Sequence, residues 1–231
     1  MAWVAGVDGC KAGWVAAFQD VESGELGCDV FRAFAEVLDS TYRPEVVAVD
    51  MPIGLAERGR RDCDVEARRL LEGRRSSVFP PPIRPVLHVG DYPEANAKSK
   101  ELHGQGLSKQ AFYLMPKIRE VEGQALLHRR RVREAHPELC FWAMNGKEPL
   151  TASKKHPAGV QHRQQLLERA YGGALPGLAH QVSELRGFRE DDLYDALAAL
   201  WTAVRILRGE AKRVPHDPPR DSLGLPMEIV Y

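Results

Sequence analysis

The sequence predicts an α/β domain whose sheet opens with antiparallel strands, and three observations predict it. Trp3 to Val7 and Trp14 to Phe18 are short apolar runs separated by a Gly9-to-Gly13 turn, the pattern of a hairpin. Val46-Val47-Ala48-Val49 is an apolar run with no polar face, as expected of a strand covered on both sides. From Asp192 to Arg208, Leu193, Leu197, Leu200, Val204 and Leu207 recur at helical spacing. In that same stretch Ala196, Ala199 and Ala203 form a second face, small enough to press close on a sheet.

The other elements follow in order. Leu26 to Phe34 reads as a third strand and Phe34 to Ser40 as a short helix. The buried run ends at Asp50, where Pro52 and Gly54 break the chain. Arg61 to Glu72 is helical, with Val65, Ala67, Leu70 and Leu71 on its apolar positions. Residues 74–106 are predicted to be a long Pro-rich excursion, because Pro80-Pro81-Pro82 fits neither helix nor central strand. Val78, Phe79, Val86, Leu87 and Val89 give it apolar surface to bury, so it reads as an ordered insertion in a single domain over 1–231. Leu107 to Arg130 is a long helix with a kink expected at Pro116. Val132 to His136 is a strand stopped by Pro137. Residues 145–158 are a polar stretch, Val160 to Tyr171 a helix, and Pro226 to Tyr231 a last strand.

Composition narrows the function classes. Lys and Arg total 32, as do Asp and Glu, so the net charge is zero. That excludes a protein that coats nucleic acid by bulk charge. No stretch approaches the ~20 apolar residues of a membrane span, and the start of the chain lacks the pattern of a signal peptide. Cys10, Cys28, Cys63 and Cys140 form no C-x-x-C pair. They read as free thiols, and a cytoplasmic location is expected.

The informative feature is where acids interrupt apolar elements. Asp8 closes the first strand and Asp50 the buried one. Asp192 and Asp195 are three apart on the last long helix, so they share a face. Asp191 and Asp192 are also what a helix N-terminus favours. Asp195 lies a turn further in, where an ionised carboxylate is costly unless paired, hydrogen-bonded or metal-bound. If the two strands are parallel neighbours and the helix crosses them, the four acids converge at one end of a sheet, where open α/β folds place ligands. Carboxylates without a His or Cys cluster suit Mg²⁺ or Mn²⁺.

A second constellation is Glu134-Ala135-His136-Pro137-Glu138. On a strand, 134, 136 and 138 face one way, which would add Glu138 as a ligand or base and His136 as a proton shuttle. The alternative is that the two glutamates are solvated edge residues. Basic residues cluster as Arg58, Arg60, Arg61, Arg68, Arg69, Arg74 and Arg75, and again around Lys117 to Arg133. Most such clusters are solvated faces. Arg75, Ser76, Ser77, Lys117 and Arg119 are the candidates for binding substrate, because they flank the excursion and an otherwise apolar helix.

Several segments together resemble a known family. They are Val7-Asp8-Gly9-Cys10-Lys11-Ala12-Gly13-Trp14, Val49-Asp50-Met51-Pro52-Ile53-Gly54, Arg74-Arg75-Ser76-Ser77-Val78-Phe79-Pro80 and Pro116-Lys117-Ile118-Arg119-Glu120-Val121. Glu134 to Glu138, Asp192 with Asp195-Ala196, and Gly224 to Tyr231 complete the set. The chain resembles a bacterial domain-of-unknown-function family of predicted RNase H-like nucleases. The resemblance implies a ribonuclease H-like fold: a mixed sheet with antiparallel first three strands, then parallel strands, with helices on both faces. It also implies metal-ligating roles for Asp8, Asp50, Asp192 and Asp195.

The function expected is a divalent-metal-dependent nuclease. Zero net charge favours a small or structured nucleic acid over long duplex DNA. One alternative is a phosphotransferase of the actin/sugar-kinase type, which opens with a similar Asp-x-Gly turn but needs a second Gly-rich phosphate loop. Another is a non-catalytic binding module that keeps the fold. Oligomeric state is left open, a homodimer included.

Overall fold

The computed structural model describes residues 2–231, apart from the side chains of residues 179, 180 and 183. The elements are β1 (Trp3–Cys10), β2 (Gly13–Asp20), β3 (Leu26–Phe31), α1 (Phe34–Leu38), β4 (Val46–Val49), α2 (Asp62–Leu70), α3 (Tyr92–His103) and α4 (Lys109–Leu127). Then follow β5 (Val132–Glu134), α5 (Pro137–Met144), α6 (Pro157–Tyr171), α7 (Leu175–Glu184), α8 (Glu190–Leu207), β6 (Arg213–Val214) and β7 (Ile229–Val230).

The main sheet is mixed, in the order β3-β2-β1-β4-β5. β1 to β3 form an antiparallel meander, while β1–β4 and β4–β5 are parallel. Strand side chains alternate between faces, and each face is covered by helices. Ala5, Val7, Val47 and Val49 pack with Met115, Ile118 and Val121 of α4. Val4 and Ala48, on the other face, pack with Ala196, Ala199 and Leu200 of α8. A smaller core gathers Cys63 and Ala67 of α2 with Leu139 of α5 and Ile229 of β7. Among the described residues, no helix is long and apolar enough to cross a membrane.

Gly6 decides how close α8 comes to the sheet. A Cβ there would stand 2.0 Å from the Leu200 amide nitrogen and 2.1 Å from the Ala196 carbonyl oxygen. The small face of α8 therefore rides directly on the β1 backbone. Gly6→Ala is expected to cost about 1–3 kcal/mol or more, because the obstructing atoms are backbone and cannot rotate away. Thermal unfolding should show a drop of about 2–4 °C per kcal/mol for a chain of this size. An unchanged melting temperature would mean that the helix is not seated this tightly.

The structure adds to or alters the expected elements at four points. First, the excursion over 74–106 includes short 3₁₀ turns, Glu72–Ser77 at its start and Arg84–Val86, then α3. Asp91 caps α3 by accepting the Glu94 N–H at 3.0 Å. Pro93 lies in its first turn, where its missing N–H costs nothing. Second, Pro137 not only stops β5 but opens α5, so Glu138 is helical and shares no strand face with Glu134 and His136. Third, α7 was not foreseen. Fourth, the C-terminal strand is only Ile229–Val230, pairing with Arg213–Val214, and Val230 also bridges to Ala135.

Candidate metal centre

Topology brings the three deepest acids together. Val7 pairs with Val49 in the parallel β1–β4 ladder, and the Asp50 amide donates to the Val7 carbonyl at 2.9 Å. Asp8 and Asp50 thus leave the same edge of the sheet. α8, held against Gly6, brings Asp195 to that edge. Each of Asp8, Asp50 and Asp195 offers an oxygen, and the three lie within 4.8 Å of one another. Asp195 is only 5% exposed, while Asp8 and Asp50 are half-buried. The Gly9 amide donates to Asp8 at 2.7 Å.

The cluster is electrostatically frustrated without a cation. Burial pushes Asp50 up to about 7 against the opposing pull of Lys154, with Glu138 adding repulsion. Burial likewise pushes Asp195 up to about 7, with Asp50 and Glu138 repelling it and Lys154 restraining the rise. Asp8 is raised well above the usual carboxylate range by burial first, then by Asp50, Asp195 and Asp192. Three hard oxygen donors in a partly dry site suit a divalent cation such as Mg²⁺, which completes its shell with water. The donor set can hold such an ion.

Asp192 stands apart from this group of three. Its carboxylate accepts the Arg189 amide at 2.8 Å, capping α8, and its charge still reaches Asp8. Glu138 sits beside the centre by a different route from the one expected. From the first turn of α5 it accepts Arg74 at 3.1 Å and also the buried Arg163. His136 caps that helix in position only, making no side-chain capping bond, and its Nδ1 is buried without a partner. Burial lowers its pKa, opposed by Glu138 and by a hydrogen bond to the Ser77 backbone.

Two charged groups escaped the sequence reading. Lys154 sits in the loop before α6, with Nζ 2.6 Å from Asp195 Oδ2 and 3.6 Å from Asp191 Oδ2. Nothing periodic marks it, and its partner Asp195 is 41 residues away in the chain. Arg61 is the second. It grips Glu134 through both guanidinium nitrogens at 2.7 and 2.8 Å, and Asp64 at 2.6 and 2.9 Å. It also donates to the Ile53 and Gly54 carbonyls, while Glu134 accepts the Ile53 amide at 2.6 Å. This closed network pins the chain that follows Asp50.

Residues 6–220 match the family described as "Protein of unknown function (DUF429)". The chain belongs to that family. No curated protein and no solved structure matches it. In this DUF429 protein the matched range takes in Asp8, Asp50, Asp195 and the groups around them.

The five candidate substrate contacts of this DUF429 chain fall into two groups. Arg75 and Ser76 are exposed on the Glu72–Ser77 turn, which Arg74 ties to Glu138. Ser77 is turned inward, donating to the Arg74 carbonyl at 2.7 Å. Lys117 donates to the Gly13 carbonyl and lies 4.3 Å over the Trp14 ring, bracing the turn that follows Asp8. Arg119 donates to the Leu87 carbonyl at 2.7 Å, holding the excursion against α4. A cleft of about 170 Å³ opens beside Asp195, lined by Lys154, Lys155, Arg163, Arg189 and Tyr194 among others.

Proposed function

We propose that this protein is a metal-dependent phosphodiester hydrolase of RNase H-like type that acts on nucleic acid. The observation that carries the proposal is the convergence of Asp8, Asp50 and Asp195 at one edge of a parallel strand pair, under a helix seated on Gly6. The antiparallel meander, the parallel continuation and the helices on both faces support the RNase H-like part of the reading. Asp8, Asp50 and Asp195 would hold Mg²⁺ or Mn²⁺. When bound, such an ion activates water and stabilises the leaving oxygen of a phosphodiester.

The chain's own groups supply the rest. Glu138, fixed by two guanidiniums, stands near enough to repel Asp50 and Asp195 and to be repelled less once a cation is bound. His136, whose pKa burial lowers, keeps a buried Nδ1 without a partner, an acceptor available to the site. Arg75 and Ser76, exposed on the Glu72–Ser77 turn, offer donors to phosphate oxygens. Zero net charge points to a small or structured substrate, gripped locally and not along a long charged track. The phosphotransferase reading has less support: Gly172–Ala174 is a 3₁₀ turn between two helices, with no strand leading into it to make a phosphate loop.

The test is a panel of end-labelled single-stranded RNA, RNA–DNA hybrid, single-stranded DNA and branched DNA, each with Mg²⁺, Mn²⁺ or chelator. Cleavage of at least one substrate that needs the metal and is lost in Asp8→Asn is the expected result. Nucleic acid bound but left intact under every condition would favour the binding module.

A further inference from the structure

We infer that a cleft between α2 and the Pro-rich excursion binds a phosphate of a nucleic-acid strand, gripped by Arg60 and Arg68 away from the metal centre. The inference rests on the nucleic-acid part of the reading above and needs no metal ion. The cleft holds about 230 Å³, more than the one beside Asp195, and its walls are Arg60, Asp64, Val65, Arg68 and Pro80. Pockets for drug-sized molecules run to about 300–1,000 Å³. This one therefore suits a phosphate with its sugar and not a large cofactor. Val65 and Pro80 offer apolar surface to the sugar, and the two guanidiniums offer donors to the phosphate.

Charge is the deciding argument. Among the described residues neither Arg60 nor Arg68 has a carboxylate partner. Arg60 makes one long contact, Nη2 to Gln105 Oε1 at 3.4 Å. Arg68 donates Nη1 to the Val78 carbonyl, which fixes the fork and leaves Nε and Nη2 free for a ligand. Asp64 is the one acid in the wall, and Arg61 already holds its two oxygens at 2.6 and 2.9 Å. The other acids of α2, Asp62 and Glu66, lie roughly 100° or more around the helix from the face that carries Asp64, Val65 and Arg68. Glu57, just before the arginines, accepts the Ser222 hydroxyl at 2.6 Å. The arginine run thus divides. Arg61 and Arg74 turn to buried carboxylates, while Arg60 and Arg68 face a cleft with no free acid to meet them.

Position is the second argument. The Glu72–Ser77 turn, with Arg75 and Ser76 exposed on it, leads directly to Val78, which Arg68 holds, and to Pro80 in the cleft wall. The buried His136 feels the charges of both Asp64 and Asp195, so the cleft wall and the metal centre flank one side chain. A strand with one phosphate at the acids meets the donors of Arg75 and Ser76, and then those of Arg60 and Arg68.

The experiment measures binding of labelled single-stranded RNA and single-stranded DNA by fluorescence anisotropy in chelator, over a range of salt. It uses wild type, Arg60→Gln, Arg68→Lys and, as a control for bulk charge, Arg208→Gln, with folding checked by thermal unfolding. Arg208 is exposed at the end of α8 remote from Asp195. Arg60→Gln should weaken binding about 3–10-fold and flatten the slope of log K against log salt by about 0.7, the loss of one phosphate contact on a single strand. Arg68→Lys should weaken binding with the slope unchanged, because an ammonium keeps the charge and loses the fork. Arg208→Gln should bind as wild type does. Wild-type affinity in either cleft variant, or an equal loss in Arg208→Gln, would overturn the inference. Competition by a nucleoside monophosphate or by inorganic phosphate as strong as by unlabelled strand would also overturn it, assigning the cleft to a free phosphate compound. No binding of either strand by wild type would overturn both the inference and the nucleic-acid reading beneath it. The expected binding pattern without cleavage under any condition would support the inference and remove only the metal-dependent hydrolase.

Discussion

Asp50→Asn is expected to abolish metal-dependent cleavage while making the metal-free protein more stable above neutral pH. The activity loss should exceed the roughly 10–100-fold typical of removing a partner one step removed from a bound ion. The stability gain follows from linkage. Asp50 is held at about 7, against 3.8 for an ordinary aspartate. Between about pH 4 and pH 7 the folded chain therefore binds a proton that the unfolded chain has released. Stability must fall as pH rises through that window and stay low above it. Asparagine keeps the shape without the charge, and the loss disappears. Among the described residues no hydrogen bond to the Asp50 carboxylate is found, so its removal sacrifices little. Melting temperatures from pH 4 to 9 in chelator should converge at the acid end, separate as pH rises toward 7 and stay apart above it, with the variant higher. Added Mg²⁺ should raise only the wild type. A variant that melts below wild type at pH 8 would show that the carboxylate supports the fold and is not held in reserve for a ligand.

Arg61→Met is expected to destabilise the fold by about 3–5 kcal/mol, the usual cost of stranding the partners of a buried ion pair. Arg61 is 3% exposed and serves Glu134, Asp64 and two backbone carbonyls at once. Methionine fills the volume but leaves both carboxylates buried beside each other. Lysine should rescue poorly, because one ammonium cannot replace a fork that meets two carboxylates bidentately. Urea unfolding of both variants checks this. The loss should shrink in acid, where Glu134, pushed up to about 7 chiefly by burial, is protonated and no longer a stranded charge. A midpoint within experimental error of wild type would contradict the network's structural role.

The elements that position the centre were readable because their signals are local. Trp3 to Val7, Val46 to Val49 and the spaced leucines of 193–207 each announce their own structure. Asp8, Asp50 and Asp195 stand out because each interrupts such a run. Glu138 was chosen for the wrong reason, since proline both ends strands and starts helices, and only the register of β5 settles which. α3 and α7 begin with prolines at Pro93 and Pro176, which in sequence look like breaks. Arg61 sat in a run of arginines that reads as a solvated face, yet its partner Glu134 is 73 residues away. Arg163 is likewise buried, on a helix whose other charges face outward. Lys154 has no pattern at all, because a loop lysine acquires meaning only from what the fold places opposite it.

The most direct test of the account is a calorimetric Mn²⁺ titration of wild type and Asp8→Asn. The account predicts saturable binding by wild type that is lost or weakened by at least tenfold in the variant, with both proteins folded. Equal binding by the two proteins, or none by wild type even with nucleic acid present, would contradict the claim that Asp8, Asp50 and Asp195 form a metal centre.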